Sequence, residues 1–410
     1  MTPIIQTARK TARRHFRRIM VMLSLMIALI VGMNNLTFYL VTQPQNIGTA
    51  QMIYGWGRLY KPMIYDSADA EMVSFGFSWV RDIFDPVPAQ ELTGKKFFNF
   101  GISGATSFES LRLVQNALYA HKPKQVFLDL ESFYDAPIAS RLEHQFDERI
   151  LYINRDGSVN NRAGLNRRVK INSSGAALGF NFAFLETLWM NRQGLPMDEI
   201  LPSYQRRDWR DFASTAQDYR NWMTQPSSPN PNDTGKGTNV KPKLDDLKEA
   251  VGLLCDAGVD IHLYEAPYIC GGDGTVTRAG LTLMREMAQT CKSSISYHSF
   301  RYPNAVTLEG AVITPGPSTF YRPDGHPRPP LGQLMLTRIL SLEDKPGAPP
   351  LPADFGADLM KMDTIEAEDW IASRAARCYG HWEDGAYQRV LDDAMRLTPI
   401  WQSLWNPVHQ

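Results

Sequence analysis

The chain has 410 residues, 43% of them hydrophobic and 21% charged, with 43 basic and 43 acidic side chains and a formal net charge of +0. This excludes a disordered chain, a collagen-like fibre and a polytopic membrane protein, and leaves room for one large domain or two. The balanced charge also removes bulk electrostatics as a reason to expect a nucleic-acid partner.

The balance is uneven along the chain. Residues 1–18 carry Arg9, Lys10, Arg13, Arg14, Arg17 and Arg18 and no acid. This basic leader runs directly into Ile19 to Val41, an uncharged stretch of about 23 residues, enough at 1.5 Å per residue to cross a hydrocarbon core of roughly 30 Å. The flanking cations predict a single-pass anchor in the cell inner membrane, with the N-terminus cytoplasmic and the remainder periplasmic or otherwise extracytoplasmic. A cleaved signal peptide is the rival reading, but no small-x-small cleavage site precedes Gln43.

Beyond residue 45, short apolar strands alternate with amphipathic helices. Met72 to Phe75, Phe97 to Phe100 and Gln125 to Leu130 read as strands, and Val259 to Tyr264 and Ile295 to Phe300 as two more. Thr106 and Glu109 have capping-box spacing ahead of Leu111, Val114 and Leu118. Leu244, Leu247, Val251 and Leu254 mark a helix ending at Gly258, and further helices are expected over 278–291 and 331–340. The alternation predicts an α/β fold, a doubly wound flavodoxin-like parallel sheet with helices on both faces, over residues 45–342. An insertion at about 135–243 interrupts it, basic in places (Arg162, Arg167, Arg168, Lys170; Arg206, Arg207, Arg210), and reads as a lid or substrate platform. Residues 343–410 form a proline-rich linker and a helical extension whose Trp370, Trp382, Trp401 and Trp405 are expected to pack it onto the body.

The four cysteines are too few for a disulfide scaffold and none has CxxC spacing, so zinc and thioredoxin-like readings lack support. Cys270 and Cys291, flanking one predicted helix, are the candidate pair. No cofactor or metal is expected, since neither a glycine-rich phosphate loop nor a carboxylate cluster with metal spacing appears.

Parallel sheets gather reactive groups where strands end and helices begin. Ser78 stands at such an edge after Gly76 and Phe77. A serine hydroxyl becomes a nucleophile only with a base in reach and an acid to orient that base. Asp324-Gly325-His326-Pro327, just before the last helix of the alternation, offers both, with His326 as base and Asp324 as orienter.

These residues resemble the SGNH (GDSL-like) hydrolases and their membrane-anchored O-acyltransferase relatives. The resemblance runs in separate blocks over residues 72–340. Gly76 to Val80 is similar to the first block, with Ser78 as nucleophile and its backbone N–H in the oxyanion hole. Asn99 to Gly104 is similar to the second, in which Gly104 supplies another oxyanion N–H. Asp324 to Pro327 with Gly332 is similar to the last, and Glu265-Ala266-Pro267 to the family's strand end before it. The third block departs from the pattern, because Leu128 to Phe133 offers Glu131 and Ser132 where the family has an oxyanion-donating asparagine. Phe77 also replaces the usual small polar residue. The resemblance implies an envelope-facing serine esterase or O-acyltransferase on acyl, chiefly acetyl, esters of a polysaccharide, with a multispan membrane acyltransferase as partner. The missing asparagine keeps a second reading open, an inactive SGNH-like module that binds glycan or scaffolds a secretion or acylation complex.

Overall fold

In the computed structural model, residues 3–53, 56–133, 146–192, 244–267, 274–309, 319–321, 327–377, 383 and 385–405 are described. The apolar runs of the sequence become β1 (Met72–Gly76), β2 (Phe97–Gly101), β3 (Gln125–Asp129), β4 (Asp260–Glu265) and β5 (Ile295–Ser299). Together with β6 (Ala357–Asp358) they form one mixed sheet in the order β2-β1-β3-β4-β5-β6, in which β1 to β5 are parallel and β6 is antiparallel to β5. The edge strand β6 is too short to carry a periodic signal and was not expected from the sequence.

The helices, in chain order, are α1 (Pro3–Val41), α2 (Pro44–Met52), α3 (Gly57–Ile64), α4 (Ser78–Ile83), α5 (Pro86–Thr93), α6 (Ser107–Ala120), α7 (Leu130–Phe133), α8 (Ala163–Ser173), α9 (Gly175–Arg192), α10 (Asp245–Ala257), α11 (Thr275–Ala288), α12 (Ala305–Leu308), α13 (Pro329–Ile339), α14 (Thr364–Arg377) and α15 (Ala386–Trp405). Their ends follow local chemistry. At α6 the Thr106 hydroxyl accepts the Glu109 N–H at 3.0 Å, and the Glu109 carboxylate accepts the Thr106 N–H at 2.9 Å. At α10 the chain leaves through Gly258 at φ +68°.

The sheet is buried on both faces, so β1 to β3 are largely apolar, and the polar strand residues Ser74, Asn99, Asp129, His262, Glu265, His298 and Ser299 are buried as well. Val73, Phe75, Phe98, Phe100, Val126, Leu128, Ile261 and Leu263 join one hydrophobic cluster with Leu113 and Val114 of α6, Val251 of α10 and Met284 of α11. Met72, Phe97, Phe127 and Tyr264 join another with Val80 and Ile83 of α4, Leu331 and Leu334 of α13 and Trp401 of α15. The period of two along each strand thus sends neighbouring residues into different cores.

From Ala12 to Val41, α1 is long and apolar enough to span a membrane. The described part of the insertion packs on α1 and α3: Ile150, Ile171, Phe180 and Phe184 are buried, and the Tyr60 and Phe180 rings stack at 3.7 Å. Its basic residues divide. Arg167 is buried, bonds Asp66 at 2.5 Å and lies over the Tyr152 ring, and Lys170 pairs with Asp147 at 2.7 Å, whereas Arg162 and Arg168 are exposed. Arg206, Arg207 and Arg210, and the stretch a lid would need most, fall in 193–243, outside the described residues.

The disulfide differs from the expected pair. Cys291 is bonded to Cys255, not to Cys270, and so ties the last turn of α10 to the segment after α11. Residues flanking a helix make poor partners: the 14 residues of α11 separate its ends by roughly 21 Å, while bridged Cα atoms lie within about 7 Å. The tail's tryptophans pack as expected where described. Trp401 is wholly buried, donates to the Pro350 carbonyl at 3.0 Å and meets Phe320 edge-on, and Trp370 meets Tyr302. Trp382 lies outside the described residues.

Candidate functional site

The parallel strands bring β1, β2, β3, β4 and β5 to a common carboxyl-terminal edge, and Ser78 opens α4 at that edge, one residue after the Phe77 N-cap. Such a short helix cannot hold itself, and three residues elsewhere seat it. Buried Asn99 spends its side-chain amide on the carbonyls of Val80, Arg81 and Phe84 at 2.9, 3.2 and 2.6 Å, bonding acceptors at the helix end. Gly101 lets α4 lie directly on the end of β2, where a Cβ would come within 2.1 Å of the Arg81 nitrogen. Gly332 does the same from α13, where a Cβ would come within 2.0 Å of the Ile83 carbonyl oxygen. Two elements of the expected blocks therefore act by close approach of backbones.

After β2, Gly104 adopts φ +60°, the left-handed conformation that favours glycine. Cations hold this loop by its carbonyls. Arg58 donates to Ser103 O at 2.9 Å and Gly104 O at 2.8 Å while pairing with Glu109 at 2.6 Å, and Lys61 donates to Gly101 O at 2.7 Å. Burial, reinforced by the neighbouring Arg81 charge, pushes the Lys61 pKa well down. Arg81, paired with Asp82, touches the Ser103 hydroxyl. Across a trans peptide the C=O and N–H point opposite ways, so the Gly104 N–H faces away from the guanidinium that holds the Ser103 carbonyl.

At the end of β3 the expected oxyanion donor has no replacement from Glu131 or Ser132. The Ser132 hydroxyl donates to Asp129 Oδ2 at 2.6 Å and accepts the Phe77 N–H at 2.9 Å. Glu131 lies 3.4 Å from Arg301, which also donates to Glu265 at 3.3 Å. Glu265, wholly buried at the end of β4, accepts from Thr277 at 2.8 Å and Ser299 at 2.7 Å as well. Burial lifts Asp129 to about 7, against the bonds from Ser132 that favour its charged form. Asp129 Oδ1 has no hydrogen-bond partner among the described residues. Sequence reading missed Asp129, Arg301 and the capping role of Asn99. Asp129 was visible as the one polar residue in an apolar strand end, but Arg301 approaches only through the fold.

Asp324 and His326 lie outside the described residues. Their flanks are described: Tyr321 and Pro327 form an antiparallel bridge, Arg328 N–H donates to Phe320 O at 2.8 Å, and the Tyr321 hydroxyl donates to Pro267 O at 2.9 Å, just past β4. Tyr321 and Pro327 therefore meet beside the carboxyl end of β4. His262 and His298 lie within β4 and β5, and burial lowers both to about 4, so they are neutral at pH 7. Among the described residues no group of three His, Cys, Asp or Glu side chains is arranged to hold a metal. The expected residues thus separate into Ser78 and Gly104, which the structure brings to one sheet edge, and the acid–base pair, of which only the flanks are described. No protein-family model, curated protein or solved structure matches the chain.

Proposed function

We propose that the chain is a membrane-anchored, SGNH-like serine esterase or O-acyltransferase facing the periplasm, acting on acyl esters, acetyl above all, of a polysaccharide. The observation that carries this reading is the place of Ser78. The parallel strands run in the order 2-1-3-4-5, the connection from β1 to β2 packs in one core and that from β3 to β4 in the other, and such a reversal opens a crevice outside the carboxyl ends of β1 and β3. Ser78 follows β1 at that crevice, which supports a doubly wound, flavodoxin-like arrangement with a site at its switch point.

In this reading His326, oriented by Asp324, takes the Ser78 proton as the Ser78 oxygen attacks the acyl carbonyl. The N–H groups of Ser78 and Gly104 stabilise the oxyanion, and its collapse expels the alkoxide leaving group, which takes the proton back from His326. The acyl-serine then passes its acyl group to water or to a sugar hydroxyl. An anchor with its N-terminus in the cytoplasm suits a substrate made at or crossing the inner membrane, with a multispan acyltransferase supplying acyl groups.

One observation favours the second reading, an inactive glycan-binding or scaffolding module: Ser132 and Glu131 are committed to Asp129, Phe77 and Arg301, leaving the third oxyanion donor unreplaced by either. Losing one such donor costs about 2.7–4 kcal/mol of transition-state stabilisation. Incubating the full-length protein with a serine-directed phosphonate separates the two. Mass-spectrometric labelling of Ser78 that vanishes in His326→Ala supports the enzyme, and no labelling under conditions that saturate an ordinary esterase supports the binding module.

A further inference from the structure

The apolar span of α1 is longer than the part of it that stands free. A hydrocarbon core of roughly 30 Å needs about 20 helical residues, which from Ile19 reaches Phe38. The stretch that no described residue covers ends near Ile30, about 12 residues or 18 Å along. From there α8 and α9 lie against α1, burying Asn34, Thr37 and Val41 on one face. Asn34 donates to the Ile171 carbonyl at 2.9 Å and accepts from Asn181, and Asn35 donates to Asn172 at 2.8 Å, the amide bonding that holds helices together where water is scarce. Basic residues at Arg17 and Arg18 prevent the span from sliding toward the N-terminus to compensate.

Resting on the membrane-anchor reading, we infer that α8 and α9 are part-submerged in the outer leaflet, so that the protein sits in the bilayer surface instead of being held above it on a tether. The surface these helices present has the matching chemistry. On α9, Phe182 is 58% exposed and Trp189 63%, with exposed Leu185 between them, a stripe at i, i+3 and i+7. Leu165 and Val169 of α8 are exposed, as are Leu36 and Tyr39 of α1. Exposed Arg162 and Arg168 on α8 suit anionic headgroups. Glu186, exposed beside the α9 stripe, keeps that helix at the boundary between headgroups and acyl chains, the depth that tryptophan favours. The occupant of this face is lipid, because the length of α1 forces the bilayer to overlap it.

The full-length protein, reconstituted in vesicles of phosphatidylcholine and phosphatidylglycerol that carry a diazirine-bearing acyl chain, provides the test. Irradiation and peptide mapping are expected to find lipid adducts on α9 as well as on α1 up to Tyr39. In brominated lipid, tryptophan quenching is expected to fall at least about twofold in Trp189→Phe, a mild exchange on an exposed site. Adducts confined to residues 12–30 of a carbonate-resistant protein overturn the submerged position and leave the anchor standing. Protein released by carbonate overturns both. Crosslinks from α9 to a second copy, with no lipid adducts there, assign the face to an interface and overturn the inference.

Discussion

Ser132 gives its hydroxyl proton to Asp129 at 2.6 Å and takes the Phe77 N–H at 2.9 Å, so a buried carboxyl group at the end of β3 sets the backbone that joins β1 to Ser78. Ser132→Ala leaves both the Phe77 N–H and Asp129 without this partner and is expected to lower stability by about 1–3 kcal/mol. It is also expected to slow phosphonate labelling of Ser78. Thermal unfolding and labelling kinetics check this, and a variant unchanged in both removes the proposed link between β3 and the site.

Asp129 and the strand histidines give opposite pH dependences. Asp129, raised to about 7 by burial, is favoured protonated in the fold, so its contribution is greatest below its unfolded value near 3.8 and fades as pH rises to 7. His262 and His298, lowered to about 4 by burial, contribute above 6.5, and that contribution is lost as pH falls toward 4. Each fully divergent group changes stability by at most about 1.4 kcal/mol per pH unit within its window. Asp129→Asn, which can still accept from Ser132, is therefore expected to steepen the loss of stability between pH 6.5 and 4 and to flatten the profile between 6.5 and 7. Melting temperatures across that range check it, and an unaltered profile rules out Asp129 as the opposing group.

The two glycines that seat α4 predict a local failure. Gly101→Ala and Gly332→Ala each drive a Cβ into the backbone of α4, at Arg81 and Ile83, and backbone cannot turn aside as a side chain can. Overpacking of this kind costs about 1–3 kcal/mol or more. Both variants are expected to melt earlier and to lose Ser78 labelling out of proportion to the fall in folded protein. Gly94→Asn, at φ +75° with open space around it, is the control and is expected to keep labelling.

The Cys255–Cys291 bridge closes a segment with a sequence separation of 36, for which a chain-entropy estimate gives about 3–4 kcal/mol. Cys255→Ser and Cys291→Ser should each lower the melting temperature under oxidising conditions, and reduction should lower that of the native chain alike. Cys270→Ser should leave the bridge intact. Non-reducing peptide maps that join Cys270 to Cys291 would contradict the pairing.

Much of the fold was legible locally. The capping pair Thr106 and Glu109, the Gly258 exit and the apolar runs of β1 to β5 follow from interactions between residues a few positions apart, and each element stands within a few residues of its expected bounds. The short β6 was not legible, because two residues carry no period and pair only where β5 presents an open edge. Cys291 was matched to the wrong partner because sequence proximity ignores the rigid helix between Cys270 and Cys291, while α10 and α11 bring Cys255 alongside.

The sequence by itself determined the alternation of strands and helices, the basic leader and apolar span of α1, and the placing of Ser78 after a strand and Gly104 after the next. These depend on periodicity, capping and composition, all short-range properties of the chain. Only the tertiary structure decided which side chains are free to do chemistry. Ser132 and Glu131 stand where the resemblance calls for an oxyanion-donating asparagine, and contacts with Asp129, Phe77 and Arg301 commit them elsewhere. Asn99 looked like part of a motif and proved to close the end of α4. The last third of α1 looked like plain membrane span and proved to be one wall of a helical layer with α8 and α9. Apart from Asp129, three residues before Ser132, the partners in these contacts stand 15 to more than a hundred residues apart, and their meeting is set by how the helices pack on the two faces of the sheet, which no local pattern encodes.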